Sequence, residues 1–257
     1  MAKHNRKWNQ CTYEKYISEG RGQGEGKDYK PWIRVQDFSS RGTISRIYSF
    51  KTDRVHHFLS NHEKYYFYLM EWSEKVIDIR EQFPLFDVNT AINIAADAEI
   101  KYPADRISGF PYVMTCDFML TTSLGFKART IKQVSELSNP RVIEKLEIER
   151  RYWNRLGIDW KLVTDRDIDI PKAQAIEWVR QDYDALGSFD LLVVDEAKRR
   201  FAEDTPISAS NSLDRDFNLP DGTGLSIFKR LLRTKQIQPI SETKIGAVNL
   251  NSLCATK

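Results

Sequence analysis

An acid and a lysine lie on the two arms of a predicted β-hairpin. Residues 112–121 and 125–134 are rich in apolar and β-favouring side chains, and the segment between them is typical of a turn. Asp117 lies in the first run and Lys132 in the second. Two such charges facing each other across neighbouring strands are costly unless they are paired or used. We therefore interpret them as half of a metal-dependent site for cutting phosphodiesters.

The segment Thr130-Ile131-Lys132 supplies groups that phosphodiester hydrolysis requires. Mg²⁺ prefers hard oxygen ligands, such as the Asp117 carboxylate and the Ile131 carbonyl. A lysine can orient or deprotonate a water and stabilise the charge that develops on the phosphate. The separation of 15 residues between Asp117 and Lys132 suits a hairpin that brings both to one end of a sheet. The pattern is common, so a surface lysine at a strand end remains an alternative for Lys132.

Glu63 is a further candidate metal ligand, 54 residues before Asp117. Ser60 and Glu63 have the spacing of a capping box, and residues 64–72 predict a strong helix after them. A carboxylate that caps its own helix is therefore the alternative for Glu63. Both roles can coexist if one oxygen bonds the Ser60 backbone while the other faces a metal.

Four further polar residues lie near these candidates in the predicted elements. His56 and His57 precede the helix, where a metal or phosphate contact is one interpretation and a structural role is the commoner one. Glu81 and Gln82 lie on a predicted strand beside the site, and we expect them to shape it.

The order of elements up to residue 168 predicts a mixed α/β domain. Hydrophobic periodicity and breaker residues set the expected bounds. Besides the hairpin, the predicted strands are 44–50, 55–59, 76–85 and 160–164. The predicted helices are 11–18, 64–72 and 141–156. Residues 91–100 are expected to form a short helix or a connection.

Residues 169–257 predict a smaller second domain. Its expected helices cover 174–186, 189–203 with Ser188 as cap, and 223–235. Strands are expected at 237–240 and 245–250, and the stretch 206–217 is ambiguous. Helices followed by a basic helix and a β-ribbon outline a winged-helix-like module, in which the basic helix can enter a DNA major groove. A protein-docking module of the same shape fits equally well.

The charge distribution adds a basic N-terminal arm to the first domain. Residues 1–54 hold twice as many lysines and arginines as acids, and residues 55–117 have the reverse ratio. This pattern indicates a polyanion-binding segment beside a place where acids gather.

Within the arm, glycine occupies every second position of residues 20–26, which matches neither the GxGxxG pattern nor a Walker loop. We interpret this stretch as a flexible connector in which Arg21, Lys27 and Lys30 can follow a nucleic-acid backbone.

Composition excludes several classes of protein. A chain of 257 residues with 41% hydrophobic and 12% aromatic residues suits a packed core rather than disorder. No run approaches the roughly 18 apolar residues of a membrane span, and the first residues have no apolar signal segment. Cys11, Cys116 and Cys254 are far apart and predict neither a zinc site nor a disulfide framework. We expect a cytoplasmic protein with no membrane partner.

Several blocks of the sequence resemble the TnsA family, the endonuclease subunits of heteromeric cut-and-paste transposases. The blocks are long, ordered and specific, and they lie within residues 1–168, whereas the tail resembles the family only weakly. They are residues 19–32 (EGRGQGEGKDYKPW), 54–57 (RVHH) running into Glu63, 78–85 (DIREQFPL), 114–118 (MTCDF) and 144–153 (EKLEIERRYW).

The resemblance implies a fold, a reaction and partners. The expected fold is a restriction-endonuclease-like mixed sheet flanked by helices over residues 1–168, followed by a winged-helix domain over 169–257. The expected reaction is Mg²⁺-dependent hydrolysis, with Mn²⁺ as a substitute, of the non-transferred strand at the five-prime ends of the transposon. The expected partners are transposon-end double-stranded DNA, a TnsB-type transposase that cuts and joins the three-prime ends, and a TnsC-type ATPase contacted by the C-terminal region.

The resemblance also places the catalytic positions on Glu63, Asp117 and Lys132. The residue two before the lysine is commonly Gln or Glu in such enzymes and is Thr130 in this sequence. The hydroxyl or backbone of Thr130 can then bind a metal-bound water instead of serving as a direct ligand, beside Glu63, Asp117 and the Ile131 carbonyl.

Three functions compete on the sequence alone. The leading hypothesis is a transposase endonuclease. A catalytically weak DNA-binding or assembly subunit is the main alternative, supported by Thr130 and by the capping role of Glu63. A stand-alone restriction or repair nuclease is the third, although the first domain has no evident element for base recognition and its basic arm reads only phosphate.

Overall fold

The predicted hairpin lies at the centre of a four-stranded sheet. The computed structural model describes residues 8–37, 43–180, 190–238, 244–245 and 248–253. Within it the strands pair in the order β3-β4-β5-β6, with bounds Val76–Pro84, Thr115–Thr122, Gly125–Lys132 and Asp159–Thr164. The turn between β4 and β5 falls where the sequence predicts it.

The sheet is mixed because its last strand is reached by a crossover. Strands β3, β4 and β5 are antiparallel, whereas β6 runs parallel to β5. A parallel neighbour requires a long connection, and helix α4, Pro140–Arg155, provides it. Asn139 accepts a hydrogen bond from the Arg141 N–H at the start of α4, and Pro140 fits the first turn because no N–H is needed there. The predicted mixed α/β fold is confirmed.

Three helices pack on the sheet. Helix α2, Asn61–Trp72, brings Phe67 to 4.8 Å from Phe58 and Tyr66 to 5.3 Å from Phe118, measured between ring centroids. Helix α3, Val88–Asp97, resolves the ambiguity over residues 91–100 in favour of a helix. Helices α3 and α4 cover a second apolar core, whose buried members include Leu85, Ala91, Ile94, Cys116, Met119, Ala128, Ile148 and Trp153.

The N-terminal arm is folded onto the sheet. It contains helix α1, Gln10–Ser18, and is followed by a two-stranded hairpin of β1, Ser45–Ser49, and β2, Arg54–Phe58. The arm contacts the backbone of β3 at two neighbouring residues. The Tyr29 hydroxyl donates to the Glu81 carbonyl at 3.0 Å, and the Trp32 N–H donates to the Gln82 carbonyl at 3.3 Å.

The interpretation of residues 20–26 as a flexible connector is wrong. A Cβ atom at Gly22 would lie 2.5 Å from the Pro84 side chain, so glycine is needed for close packing. Arg21 is buried and pairs with Asp37 at 2.5 Å and with Glu19 at 2.7 Å. Its guanidinium therefore serves the fold and is not available to a nucleic-acid backbone.

A buried ion pair joins β2 to β3. Glu81 is fully buried, and its two carboxylate oxygens accept hydrogen bonds from the two terminal nitrogens of Arg54 at 2.9 and 2.5 Å. His56 Nδ1 lies 2.8 Å from the same carboxylate. Burial alone would raise the pKa of Glu81, but His56 and Arg54 hold it well below its ordinary value. This cluster fixes the conformation of β3 where the arm contacts it.

The second compact unit, residues 169–257, is helical over most of its described part. Its helices are α5, Ile170–Arg180; α6, Leu191–Glu203; α7, Pro206–Asp216; and α8, Thr223–Arg233. Residues 181–189, including Ser188, lie outside the described residues, and the cap of α6 is Asp190, which accepts from the Leu192 N–H. The ambiguous stretch 206–217 forms α7.

Helix α8 depends on a close approach to α7. The Asp214 carboxylate accepts from the N–H groups of Gly222 and Gly224 at 2.8 and 2.6 Å. A Cβ atom at Gly224 would lie 2.5 Å from the Ser210 carbonyl oxygen, so glycine allows this contact. Lys229 of the predicted basic helix is buried, with its ammonium 4.5 Å from the centre of the Trp178 ring.

A short antiparallel ribbon follows α8. It pairs β7, Lys244–Ile245, with β8, Val248–Asn249. The predicted strand 237–240 is wrong at residues 237–238, and residues 239–240 lie outside the described part. The winged-helix assignment of this unit stays a prediction. Across the described chain, no helix has the length and apolar character needed to cross a membrane.

Glu81→Gln is expected to lower the free energy of unfolding by about 3–5 kcal/mol, because it leaves the buried Arg54 charge uncompensated. Urea unfolding at neutral pH measures the loss. Glu147→Gln, on the partly exposed face of α4 beside Arg150 and Arg151, is the control and should cost less than about 1 kcal/mol. Equal losses for the two variants would contradict this account of the cluster.

Candidate active site

Asp117 is held at the end of the hairpin by the neighbouring strand. Its Oδ2 atom accepts from the Ile131 N–H at 2.6 Å, which fixes the carboxylate against β5. The Ile131 side chain is buried. The Asp117 side chain keeps 13% of its surface exposed, so it faces the cleft rather than the core.

Lys132 meets Asp117 at the same end of the sheet. The Lys132 ammonium lies 3.9 Å from Asp117 Oδ2 and donates to the Ile131 carbonyl at 3.0 Å. The charge of Asp117 raises the pKa of Lys132 above its ordinary value, more than burial lowers it. The lysine is therefore part of a partly buried, charged cluster at the end of the sheet and is not a free surface residue.

Glu63 caps its own helix and also faces the site. Ser60 Oγ accepts from the Glu63 N–H at 3.1 Å and donates back to the carboxylate at 2.9 Å. The other carboxylate oxygen accepts from the N–H of Leu59 at 3.1 Å, not from the backbone of Ser60 as expected. Burial first, and then the charge of Asp117, raises the pKa of Glu63 to about 7. The capping interpretation is correct. Capping still leaves Glu63 close enough to Asp117 for the charge of Asp117 to affect its pKa.

Gln82 joins the two acids. Its amide nitrogen lies 3.3 Å from Asp117 Oδ1 and 3.5 Å from Glu63 Oε2. Its amide oxygen accepts from the Thr115 hydroxyl at 3.1 Å. Of the two strand residues expected to shape the site, Gln82 does so by contact. Glu81 instead binds Arg54, away from both candidate ligands.

The histidines are structural rather than functional in this arrangement. His56 is fully buried between Glu81 and the Thr52 hydroxyl, which lies 2.7 Å from Nε2, and burial lowers its pKa. His57 Nδ1 accepts from the Val35 N–H at 3.4 Å. Neither contacts a candidate metal ligand.

Glu149 is a site residue that the sequence analysis missed. It projects from α4 and is 3% exposed. Its carboxylate accepts hydrogen bonds from the Thr130 hydroxyl and from Trp160 Nε1, the latter at 3.0 Å. Burial raises the pKa of Glu149 to about 8, with a further contribution from the charge of Asp117. The available signal was a single carboxylate on the apolar stripe of an amphipathic helix.

Thr130 therefore points towards an acid. Its buried hydroxyl donates to the Glu149 carboxylate, so it is engaged by that acid rather than by Asp117 or Glu63.

A cleft of about 550 Å³ opens over these residues. The polar site residues that line it are Asp117, Thr130, Lys132 and Glu149. The remaining lining residues are Ile33, Pro103, Tyr112, Val113, Met114, Thr115, Glu136, Val142, Lys145 and Leu146. Asp117, Lys132 and Glu149 thus border one cleft, whereas Glu63 and Gln82 are not among its lining residues.

The residues present fit a hard divalent cation. The Lys132 ammonium, itself a cation, already lies against the Ile131 carbonyl and near Asp117. In the described part of the chain, no group of three His, Cys, Asp or Glu side chains is arranged to hold a metal ion. This donor set suits Mg²⁺, which is bound through one or two carboxylates together with waters and substrate phosphates rather than by an all-protein cage.

A mixed sheet that presents an acid and a lysine on adjacent strands, beside further acids, has the groups of a metal-dependent nuclease. Residues 73–165 match the family described as "TnsA-like endonuclease N terminal". The chain is also similar to "Transposon Tn7 transposition protein TnsA" of Escherichia coli, with 45% identity over 182 residues, or 70% of this chain and 66% of the relative. The chain therefore belongs to the TnsA-like endonuclease family.

The family match covers most of the site. It includes Asp117, Thr130, Ile131, Lys132 and also Glu149, whereas Glu63 precedes it. The resemblance stated from sequence blocks is confirmed.

Glu149→Gln is expected to stabilise the protein increasingly as the pH rises from about 5 to about 9. The pKa of folded Glu149 is about 8, against an ordinary value of 4.5, so the folded protein keeps a proton that the unfolded chain releases. Stability of the natural protein thus falls with rising pH through this interval, and glutamine removes that fall while still accepting from Thr130 and Trp160. Thermal unfolding at several pH values measures the difference.

Glu147→Gln on the same helix is the matched control. Arg150 and Arg151 lower the pKa of Glu147 to about 2, so its effect should stay constant over this pH interval. A Glu149→Gln effect that is equally constant would contradict the raised pKa.

Proposed function

We propose that this chain is the Mg²⁺-dependent endonuclease subunit of a transposase. It hydrolyses the non-transferred strand at the five-prime ends of the transposon during cut-and-paste DNA transposition. The observation that carries the proposal is the cluster of the Asp117 carboxylate, the Lys132 ammonium and the Ile131 carbonyl, with Glu63 beside it. The similarity to a transposition protein supports the biological setting.

Three oxygen donors would hold the metal: the carboxylates of Glu63 and Asp117 and the carbonyl of Ile131. When bound, Mg²⁺ supplies charge neutralisation at the phosphate and activation of a water, and Mn²⁺ can replace it. Glu63, with a pKa of about 7, must give up its proton to act as a ligand. Thr130 would act indirectly, because its hydroxyl donates a hydrogen bond to the carboxyl of Glu149.

Lys132 supplies positive charge to the reacting phosphate. Because Asp117 raises its pKa, the side chain stays protonated at neutral pH. An ammonium of this kind orients the attacking water and stabilises charge that develops on the phosphate oxygens. A role as the base that deprotonates the water is less favoured by the raised pKa.

The partners follow from the same proposal. The substrate is transposon-end double-stranded DNA, and a TnsB-type transposase cuts and joins the other strand. A TnsC-type ATPase docks on the C-terminal unit, which we propose to be winged-helix-like. The protein works in the cytoplasm.

A second candidate function is a catalytically weak DNA-binding or assembly subunit. The observation that favours it is that both carboxylate oxygens of Glu63 are engaged by the start of α2, through Ser60 and Leu59. In that case Glu63 never turns to a metal, and the site retains its shape without its full ligand set.

Asp117→Ala and Lys132→Ala are each expected to abolish nicking of transposon-end DNA, a loss of at least about 100-fold. Asp117→Ala removes a metal ligand, and Lys132→Ala removes the charge beside the phosphate. The measurement is strand cleavage by the full chain with its transposase partner and Mg²⁺.

Lys127→Ala is the control, because Lys127 lies on the same strand with its ammonium 3.7 Å from Asp159, outside the cluster. It should cut normally. Undiminished cutting by both site variants would overturn the site, and cutting of arbitrary DNA by this chain alone would favour a stand-alone nuclease.

A further inference from the structure

Gln82 has a backbone conformation that is unusual for its residue type. Its φ angle is +48°, in the left-handed region that residues other than glycine and asparagine rarely adopt. The register pairs Glu81 with Phe118 and Phe83 with Cys116, so Gln82 lies opposite Asp117 inside a strand pair. A left-handed residue inside a strand persists only where its surroundings hold it, and such residues cluster at functional sites.

The surroundings of Gln82 hold the backbone on both sides. Its carbonyl accepts from the Trp32 N–H of the arm, and the preceding carbonyl accepts from the Tyr29 hydroxyl. The Glu81 side chain is fixed by Arg54 through two hydrogen bonds. The buried ion pair and the arm together therefore determine where the Gln82 side chain points.

The amide nitrogen and the amide oxygen of the Gln82 side chain both make their contacts within the site. The amide oxygen accepts from Thr115, so the amide nitrogen faces the two acids, which can only accept when ionised. It lies between Asp117 Oδ1 and Glu63 Oε2. A neutral side chain with two N–H groups suits this place, because it bonds both carboxylates without competing with a cation for their negative charge.

We propose that Gln82 is a positioning residue that sets the two carboxylates of Glu63 and Asp117 for a divalent cation. The inference rests on the proposed function, since it concerns the same metal site. The amide offsets the repulsion between the acids and fixes the oxygen of each that it binds. The other oxygens, which accept from the Ile131 N–H and the Ser60 hydroxyl, are the ones that would bind the cation. Groups that orient metal ligands in this way typically contribute about 10–100-fold to metal affinity.

Two variants separate positioning from folding. Gln82→Met keeps the length and loses both N–H groups. Gln82→Asn adopts the left-handed backbone more readily than glutamine but is too short to reach both acids. The test is binding of Mn²⁺ to the full chain without DNA, followed by electron paramagnetic resonance, together with the urea midpoint of each variant.

Both variants are expected to weaken Mn²⁺ binding by about 10–100-fold, with the urea midpoint of Gln82→Asn unchanged or raised. In the cleavage assay the half-saturating Mg²⁺ concentration should rise by a similar factor, with the rate recovering at saturating Mg²⁺. If Gln82→Met does not fold, Gln82→Asn decides. Wild-type Mn²⁺ affinity in folded Gln82→Asn would overturn the proposal.

Glu99→Asn is the matched control. Glu99 also has a left-handed backbone, with φ +56°, but it is exposed after helix α3. The Glu99→Asn variant tests relief of backbone strain away from the acids and should leave Mn²⁺ binding unchanged. A loss of Mn²⁺ affinity equal to that of Gln82→Asn would overturn the proposal.

Asp117→Asn separates this inference from the proposed function. If Asp117→Asn loses Mn²⁺ binding while the Gln82 variants keep it, only the role of Gln82 fails. If Asp117→Asn binds Mn²⁺ as the natural protein does, the metal site itself fails.

Discussion

The gathering of acids in a poorly solvated cleft is the constraint on which the rest of the structure depends. Asp117 lies near Glu63, and its charge helps to raise the pKa of both Glu63 and Glu149. Like charges at low exposure repel, and burial adds to the cost of ionising them. The Lys132 ammonium, the Gln82 amide and the Ile131 N–H offset part of that repulsion. A divalent cation would offset more of it.

The framework around the site explains how these groups stay in place. Backbone pairing fixes Asp117 and Lys132, because both lie on paired strands of one sheet. The position of Gln82 depends on a longer chain of contacts, from the arm to β3 and from Arg54 to Glu81. The arm, which the charge pattern suggests as a DNA-binding segment, thus also has a structural part in the site.

The hairpin and the meeting of Asp117 with Lys132 were predictable, because alternation and turn residues determine register locally. Glu63 was predictable in position and in its capping role. Glu149 was not, because a single acid on an apolar helix stripe gives no sign of what it will face after the crossover to β6. The packing of Gly22 against Pro84 was missed for the same reason, since the contact joins residues far apart in the chain.

Anomalous diffraction from crystals grown with Mn²⁺ tests the central claim that Glu63 and Asp117 share a metal. The account predicts a manganese peak within coordination distance of both carboxylates and of the Ile131 carbonyl, with at least one Glu63 oxygen turned from Leu59 or Ser60 to the metal. A peak elsewhere, or a Glu63 carboxylate whose two oxygens remain on its own helix start while manganese is bound by other groups, would contradict it.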